Sequence, residues 1–362
     1  MSLSPQQLGK PLKVLRRIQE TKDAVSLVLD IPASLQSQFK YQAGQFVTFF
    51  LTVSGESLNR SYSLSSSPLV DSEFKITVKK VEGGRGSNFL CNEIRVGDTL
   101  LTSPPAGNFF KPLHSANGSH YFLIAAGSGI TPVFSIMKTV LSESEKNQVT
   151  LIYCSRDRDA IIYLDQLEEW QKKYSAQLRV HHVLSGESGR LTTEGLKNLV
   201  SRAPHWTNPS RAFYLCGPTE FMKTAEMGLQ TMGVTAGEIR KEDFGGAISK
   251  PKVELDSGWT LIGEKSEAQS PEKIIAEIQG EIIEVAAKAE LNILETLLEA
   301  GAQPPYSCLD GNCMACLAKI QEGLVYQTDP CILTDQNIAA GETLTCQAKP
   351  LSRIVKLTFD NL

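Results

Sequence analysis

The chain has 362 residues, with 36 Lys and Arg against 40 Asp and Glu and 41% hydrophobic residues, the composition of ordinary globular domains and not of a disordered or fibrous chain. That length suggests two or three domains, each able to bury its own core. The first residues, MSLSPQQLGKPLK, carry no apolar signal segment, the apolar run Tyr121–Ala126 is too short to cross a bilayer, and no basic patch is interleaved with aromatics. Secretion, a membrane span and nucleic-acid binding are therefore not expected, and the expected location is the cytoplasm.

Residues 1–112 read as an antiparallel β-barrel. KVLRRIQET, AVSLVLDI, GQFVTFFLTV, RSYSLSSS and EFKITVKKVE are short runs rich in β-branched and aromatic residues, punctuated by Gly, Pro, Ser and Asp. As a strand, Arg60-Ser61-Tyr62-Ser63-Leu64 places Arg60, Tyr62 and Leu64 on one face and Ser61 and Ser63 on the other. A cation, an aromatic ring and hydroxyls in one extended segment can bind a phosphate, pack on a flat ring and hydrogen-bond its heteroatoms; a surface strand with one Arg looks similar. Next comes Gly83-Gly84-Arg85-Gly86-Ser87-Asn88 before FLCNEI, a Gly-rich turn opening a helix with Ser87 as the expected N-cap. Helix-start N–H groups suit a pyrophosphate, although an ordinary turn has the same letters. Pro104-Pro105-Ala106-Gly107-Asn108-Phe109 reads as a rigid corner closing the barrel.

These three segments resemble the ferredoxin–NADP reductase superfamily. The resemblance implies a flavin with Arg60 on its phosphate, Tyr62 and Ser63 at the isoalloxazine with Leu64 beside them, and Gly84, Gly86 and Ser87 at the pyrophosphate. It also places Lys79, in ITVKK, on a strand beside the flavin. FAD is expected by likeness to the nearer relatives, with FMN as the alternative.

Residues 113–245 alternate strand and helix, the pattern of a doubly wound parallel sheet. Tyr121–Ala126 is a continuous apolar run, as in a strand covered on both faces. It leads into Gly127-Ser128-Gly129-Ile130-Thr131-Pro132 and a helical stretch, VFSIMKTVLSESEK; Thr131 is placed to cap that helix and Pro132 suits its first turn. RAFYLC ends in Cys216-Gly217-Pro218 before a second helix. Ligands sit beyond the carboxyl ends of such strands, so both turns can serve one ligand. The same family resemblance implies that G-x-G-x-T-P (Gly127, Gly129, Thr131, Pro132) and C-G-P (Cys216, Gly217, Pro218) bind NAD(P)H, with Thr131 and Cys216 at the nicotinamide and Ser155 and Arg156 at the adenosine ribose. An Arg there favours the 2′-phosphate of NADPH, and Asp157 and Asp159 nearby keep NADH open. Phe244 is placed by the resemblance near the flavin, against a plain packing role. His181 and His182 lie in a strand and are given no role.

Residues 246–270, rich in Gly, Ser, Lys and Glu, read as a flexible linker with one possible strand at KVELD. Residues 271–362 hold Cys308, Cys313 and Cys316 in a C-x4-C-x2-C spacing, with Cys346 following after 29 intervening residues. This is the spacing of a plant-type [2Fe–2S] site, in which four soft thiolates hold the ferric pair. Zinc sites usually use two close C-x2-C pairs, and a disulfide framework suits a secreted chain, so both fit less well. Cys331, outside the spacing, reads as a buried thiol. Strands KIIAEIQ and EIIEVAA about Gly280-Glu281, a helix at LNILETLLEA and the PYSC loop resemble the β-grasp fold of plant-type ferredoxins. This segment carries six Lys and Arg against thirteen Asp and Glu, or −7, leaving +3 on the first 270 residues. Such an asymmetry suits electrostatic docking, or two ordinary solvated surfaces.

The order flavin barrel, nicotinamide domain, ferredoxin resembles the reductase components of bacterial oxygenases, of the phenylacetyl-CoA oxygenase and ketosteroid hydroxylase types. It implies an NAD(P)H-dependent reductase that passes electrons through flavin and [2Fe–2S] cluster, singly, to a protein acceptor, most naturally an oxygenase component. Ser63, Thr131 and Cys216 are the residues placed at the hydride-transfer step. A membrane desaturase or another carrier as acceptor, and a cluster-binding carrier without hydride transfer, are the alternatives.

Overall fold

The computed structural model describes residues 9–204, 207–242, 244, 259–263, 269–288, 291–309, 311, 313–328 and 332–360. The chain divides into two compact units, one of Lys10–Leu58 with Tyr62–Gly246, the other of Ala247–Leu362 together with Asn59–Ser61. The barrel and the parallel sheet thus pack as one body.

Strands β1 (Lys10–Thr21), β2 (Ala24–Asp30), β3 (Phe46–Val53), β4 (Glu56–Ser63), β5 (Phe74–Lys79) and β6 (Thr99–Thr102) form the first sheet, in the order β4-β3-β6-β1-β2-β5. Its two edge strands meet through a Leu64–Ile76 bridge, and Ser65 N donates to Lys75 O at 2.8 Å, which curls the sheet into a barrel. Inside lie Leu12, Val14, Val25, Leu27, Val47, Phe49, Leu64 and Ile76. The Pro104–Phe109 corner is anchored by an Ala106–Phe46 bridge. Helix α1 (Arg85–Asn92) follows β5.

Strands β7 (His120–Ala126), β8 (Gln148–Ser155), β9 (Leu178–Leu184), β10 (Arg211–Cys216) and β11 (Ile239–Glu242) form a parallel sheet in the order β11-β10-β7-β8-β9. The apolar run of β7 is explained by its two neighbours. Tyr121, Leu123 and Ala125 enter one core, Phe122 and Ile124 the other, so alternation puts both faces into hydrocarbon. Each such side chain contributes roughly 1.5–3 kcal/mol of burial. Helices α2 (Ile130–Glu143) and α3 (Leu164–Lys173) lie with the first core, α4 (Thr193–Ser201) and α5 (Thr219–Thr231) with the second. The chain runs β7, β8, β9 to one side and returns through β10 on the other. The order therefore reverses between β7 and β10, and a crevice opens at their carboxyl ends.

The second unit has a three-stranded sheet, β12 (Trp259–Gly263), β16 (Leu324–Thr328) and β18 (Ala348–Pro350). Beside it is a five-stranded sheet of β13 (Lys273–Ile278), β14 (Glu281–Ala286), β15 (Leu317–Glu322), β17 (Glu342–Leu344) and β19 (Ile354–Thr358), ordered β14-β13-β19-β15-β17. The β13–β14 hairpin turns on Gln279 and Gly280, both at positive φ (54° and 80°), one residue earlier than the sequence suggests. Helix α6 (Ile293–Glu299) buries Ile293, Leu294 and Leu297, and Asn292 and Glu295 form its capping box. The linker expected over 246–270 contains β12, which joins this unit through β16; the KVELD strand falls outside the described residues. Cys331 also falls outside them. No described helix is long and apolar enough to cross a membrane.

Candidate functional site

The crevice is built from the ends of three strands. β7 runs into a 3-10 turn at Gly127–Gly129 and then α2. Gly127 has φ +55°, where a side chain would be strained. Gly129 is needed for a different reason: a Cβ there would lie 2.1 Å from the carbonyl oxygen of Cys216. The two Gly-containing turns therefore touch backbone to backbone. Gly217 closes from the other side, since its Cβ would meet Phe221 Cδ1 at 2.9 Å and Ala126 Cβ at 3.0 Å. Cys216, fully buried, is in register with Ala125 of β7 and Glu242 of β11.

The helix starts differ in detail from the sequence expectation. Thr131 does not cap α2. Gly129 occupies the N-cap position, and Thr131, already in the first turn, donates from Oγ1 to Ser128 O at 3.0 Å. The turn at Gly127–Gly129 winds tightly enough for the helix to begin two residues earlier. Pro132 lies in the first turn, as its fixed φ and absent N–H allow. Ser87 likewise does not cap α1, whose N-cap is Gly84; Ser87 Oγ accepts from Val81 N at 3.1 Å and donates to Gly84 O at 3.3 Å. The left-handed Gly83 (φ +68°) turns the chain early, and a Cβ on Gly84 would collide with Ser87 Oγ at 2.7 Å. Gly86 is buried inside α1. Pro218 caps α5 through its carbonyl, which accepts from Met222 N at 3.0 Å.

From the barrel, β4 brings Ser63 to this crevice. Ser63 is buried, and its hydroxyl donates to Glu242 Oε2 at 3.2 Å. Burial pushes the Glu242 carboxyl up to about 8, with the Ser63 hydrogen bond opposing. Glu242 was not singled out as a site residue by sequence reasoning, because its short strand, IRKE, has no apolar pattern. The available signal was a carboxylate at the carboxyl end of a strand of the parallel sheet. Tyr62 packs its ring 5.8 Å from Phe49, Leu64 is in the barrel core, and Arg60 is exposed with Nη1 donating to Asn59 O.

Lys79, at the end of β5, pairs with Asp23 at 3.7 Å, and its Nζ stands 3.8 Å from the point where a Gly127 Cβ would be. It thus faces the Gly127–Gly129 turn. At the end of β8, Ser155 is buried with its hydroxyl unpartnered, and Arg156 is exposed with Nε on Asp157 Oδ2 at 2.9 Å. Asp157 also accepts from Ala160 N, so its carboxylate is fixed by a turn and a guanidinium together. Phe244 is 43% exposed and is not a core residue.

In the second unit Cys308, Cys316 and Cys346 are buried and Cys313 is half-buried, none of the four in a disulfide. Cys308 N donates to Cys313 Sγ at 3.3 Å, and Cys316 lies against Cys346. Hydrogen bonding from Cys308 raises Cys313 and from Cys316 raises Cys346, while Cys346 holds Cys316 down. The ligand loop is bent through left-handed residues at Leu309 (φ 64°), Gly311 (74°) and Met314 (51°). Two of these are not glycine, and strained backbone of this kind persists where its surroundings over-determine it. Three buried cysteines and one half-buried, on one strained loop and the β17–β18 connection, supply soft sulfur donors that fit a [2Fe–2S] cluster as its ligands. The turns at these strand ends fit a flavin and a nicotinamide, with the buried Ser155 hydroxyl lacking a hydrogen-bond partner.

Comparison with known proteins agrees. Residues 11–110 match the oxidoreductase FAD-binding domain, 123–227 the oxidoreductase NAD-binding domain and 276–351 the 2Fe-2S iron-sulfur cluster binding domain. The chain is 33% identical to the ferredoxin reductase component of 3-ketosteroid-9-alpha-monooxygenase from Rhodococcus rhodochrous, over 96% of each chain. It belongs to the family of reductase components of oxygenases. It is also 32% identical to a component of the 1,2-phenylacetyl-CoA epoxidase of Escherichia coli, over 96% of this chain and 97% of that one. Phthalate dioxygenase reductase shares the fold over 99% of this chain and 100% of that one, at 22% identity and a TM-score of 0.58. This reductase-family member is an NAD(P)H-dependent oxidoreductase with FAD, NAD and [2Fe–2S] domains.

Proposed function

We propose that this chain oxidises NAD(P)H and delivers the electrons one at a time, through its flavin and its cluster, to the oxygenase component of a multicomponent system in the cytoplasm. The observation that carries this reading is the convergence in one crevice of Ser63, Glu242, Cys216 and the Gly127–Gly129 turn, in a chain that also gathers four thiols. Bound flavin would supply the conversion of a two-electron hydride delivery into single-electron steps.

The protein's own part is placement. Arg60 and the start of α1 would hold the flavin's phosphates, and Tyr62 would cover its ring. Ser63 would orient the ring edge, with Glu242 Oε2 accepting from the serine hydroxyl and the carboxyl holding its proton on the other oxygen near neutral pH. Gly127, Gly129, Thr131 and Pro132 would take the nucleotide pyrophosphate, aided by Lys79 across the turn. Cys216, Gly217 and Pro218 would bound the nicotinamide and exclude water from it. Ser155 and the exposed Arg156 would meet the adenosine ribose, which supports NADPH ahead of NADH. Cys308, Cys313, Cys316 and Cys346 would ligate the iron.

The test is anaerobic titration of the purified protein with NADPH and then NADH, read in the visible spectrum. Bleaching of flavin and cluster bands together, at much lower concentration of one nucleotide, is the expected result. Cluster bands that neither nucleotide bleaches would leave only a carrier.

A further inference from the structure

A lysine on α2 is nearly buried although no step above uses it. The Lys138 side chain is 3% exposed, and its Nζ is ion-paired with Asp71. Asp71 belongs to the segment that directly follows the Ser63 strand. Its Oδ2 also accepts from Ser67 N at 2.7 Å, and its own N–H donates to Ser67 O at 3.1 Å. Ser135 and Thr139, at three residues before and one after Lys138, lie on the same face of α2. Ser135 Oγ donates to Ser66 O at 2.6 Å, and Thr139 Oγ1 is 2.8 Å from Ser67 Oγ. Ser66 Oγ in turn accepts from Tyr41 OH and from Lys75 N. Ser65, Ser66, Ser67 and Ser135 are all completely buried.

A plain packing contact would be made with apolar side chains, since burying a charge is costly unless it is paired and hydrogen-bonded. Here the polar groups are matched one to one, and such bonds are directional where hydrocarbon contacts are not. The two partners are also specific in position. One begins at the residue after Leu64, immediately beyond the strand carrying Tyr62 and Ser63. The other is the helix that begins at Ile130, directly after the Gly127–Gly129 turn, with that start about 12 Å along its axis from Lys138. Phe134, between them on α2, stacks on Tyr163 with centroids 4.5 Å apart, and Lys138 Nζ lies 4.5 Å from its centre. Tyr163 reaches back to the barrel through Thr77.

We propose that Lys138, with Ser135 and Thr139, is a positioning clasp that sets the flavin strand against the nucleotide turn and thereby the rate of hydride transfer. The inference rests on the proposed reductase function. The step it governs moves one hydride, with its two electrons, from reduced nicotinamide to oxidised flavin, and consumes nothing else.

The test is anaerobic stopped-flow reduction of the holoprotein by whichever nucleotide acts at lower concentration, reading flavin bleaching and the long-wavelength nicotinamide–flavin charge-transfer band. Lys138→Met is expected to lower the limiting rate about ten- to a hundredfold, the scale of an ångström-level misplacement. The charge-transfer band weakens, while nucleotide affinity, flavin content and iron content stay near those of the unaltered protein. The isosteric Thr139→Val shifts the rate the same way by less, and decides the matter if Lys138→Met does not fold. A clasp that merely stabilises would lower the melting temperature and leave the limiting rate alone, and that outcome overturns the proposal. Failure of the unaltered protein to bleach with either nucleotide would instead sink the reductase reading, and the clasp's role with it.

Discussion

In the flavin and nucleotide unit, the groups we propose for cofactor binding are strand ends and helix starts braced by packed elements: Ser63 against Glu242, Gly129 against Cys216, Lys79 over Gly127. In the cluster unit the proposed ligands hang on a loop bent through left-handed Leu309 and Met314, and the four thiols crowd one another. In the first, the polar groups are held by polypeptide packed around them. In the second, the sulfurs lie against one another with few polypeptide donors, Cys308 N on Cys313 Sγ and Gln347 Nε2 3.7 Å from Cys346 Sγ among them, so its order should depend more on bound metal. Metal binding to such thiols is coupled to loss of their protons and to folding of the loop. The difference teaches where each unit is fragile: the first to steric change, the second to loss of iron.

Removing one ligand should therefore split the two halves of the reaction most sharply. Cys316→Ser is expected to abolish the cluster's visible and EPR signals and all reduction of a protein acceptor, while NAD(P)H still bleaches the flavin. Loss of flavin bleaching as well would show that the two sites are not separately built. The steric counterpart is Gly129→Ala. Its methyl group would sit 2.1 Å from a backbone carbonyl that cannot move without shifting β10. Flavin reduction by nucleotide should fall about a hundredfold or more, with the cluster spectrum intact; a near-normal rate would show the two turns to be looser than described.

Glu242 gives the next effect, and its sign follows from burial. Its pKa is near 8 in the folded chain against an ordinary 4.5. The protonated form is therefore favoured by folding, and that contribution is full below pH 4.5 and lost as pH rises through about 8. Ionising Glu242 strengthens the hydrogen bond it accepts from Ser63 and ties that hydroxyl more tightly to the carboxylate, so the rate of flavin reduction should fall with an upper limit near pH 8. Glu242→Gln should flatten the profile and raise thermal stability at pH 9 relative to the native residue. An unchanged profile in the variant would remove Glu242 from the reaction.

Much of this was legible in the sequence because strand ends and ligand spacings are local. The C-x4-C-x2-C run, the R-x-Y-S strand and the two Gly-Pro turns each announce themselves within three to nine residues. What escaped was non-local. Glu242 matters only because β11 pairs with β10 and its end meets a barrel strand 179 positions earlier in the chain. Thr131 and Ser87 have the right chemistry for caps, yet a glycine turn can start a helix before the first hydroxyl is reached. The strand at Trp259–Gly263 was hidden in a polar stretch and forms only by pairing with β16.

The smallest effect expected lies in the cluster unit, where one side chain partly offsets its lack of internal bracing. Gln347 Nε2 donates to Leu309 O at 3.1 Å and approaches Cys346 Sγ at 3.7 Å, so one amide ties the strained loop to the fourth ligand. A donor on a ligand sulfur favours the more negative, reduced state. Hydrogen bonds to charged groups contribute about 1.5–3 kcal/mol, and a long contact to sulfur less. Only the difference between the two redox states counts, so the change should stay within about 60 mV, a factor of ten for a one-electron couple. Gln347→Leu is expected to move the midpoint to a more negative potential by that much or less, measured by EPR-monitored redox titration. A shift to more positive potential would mean that the amide serves the backbone at Leu309 and not the sulfur. In that case the bracing of the cluster unit is mechanical, as it is in the flavin and nucleotide unit.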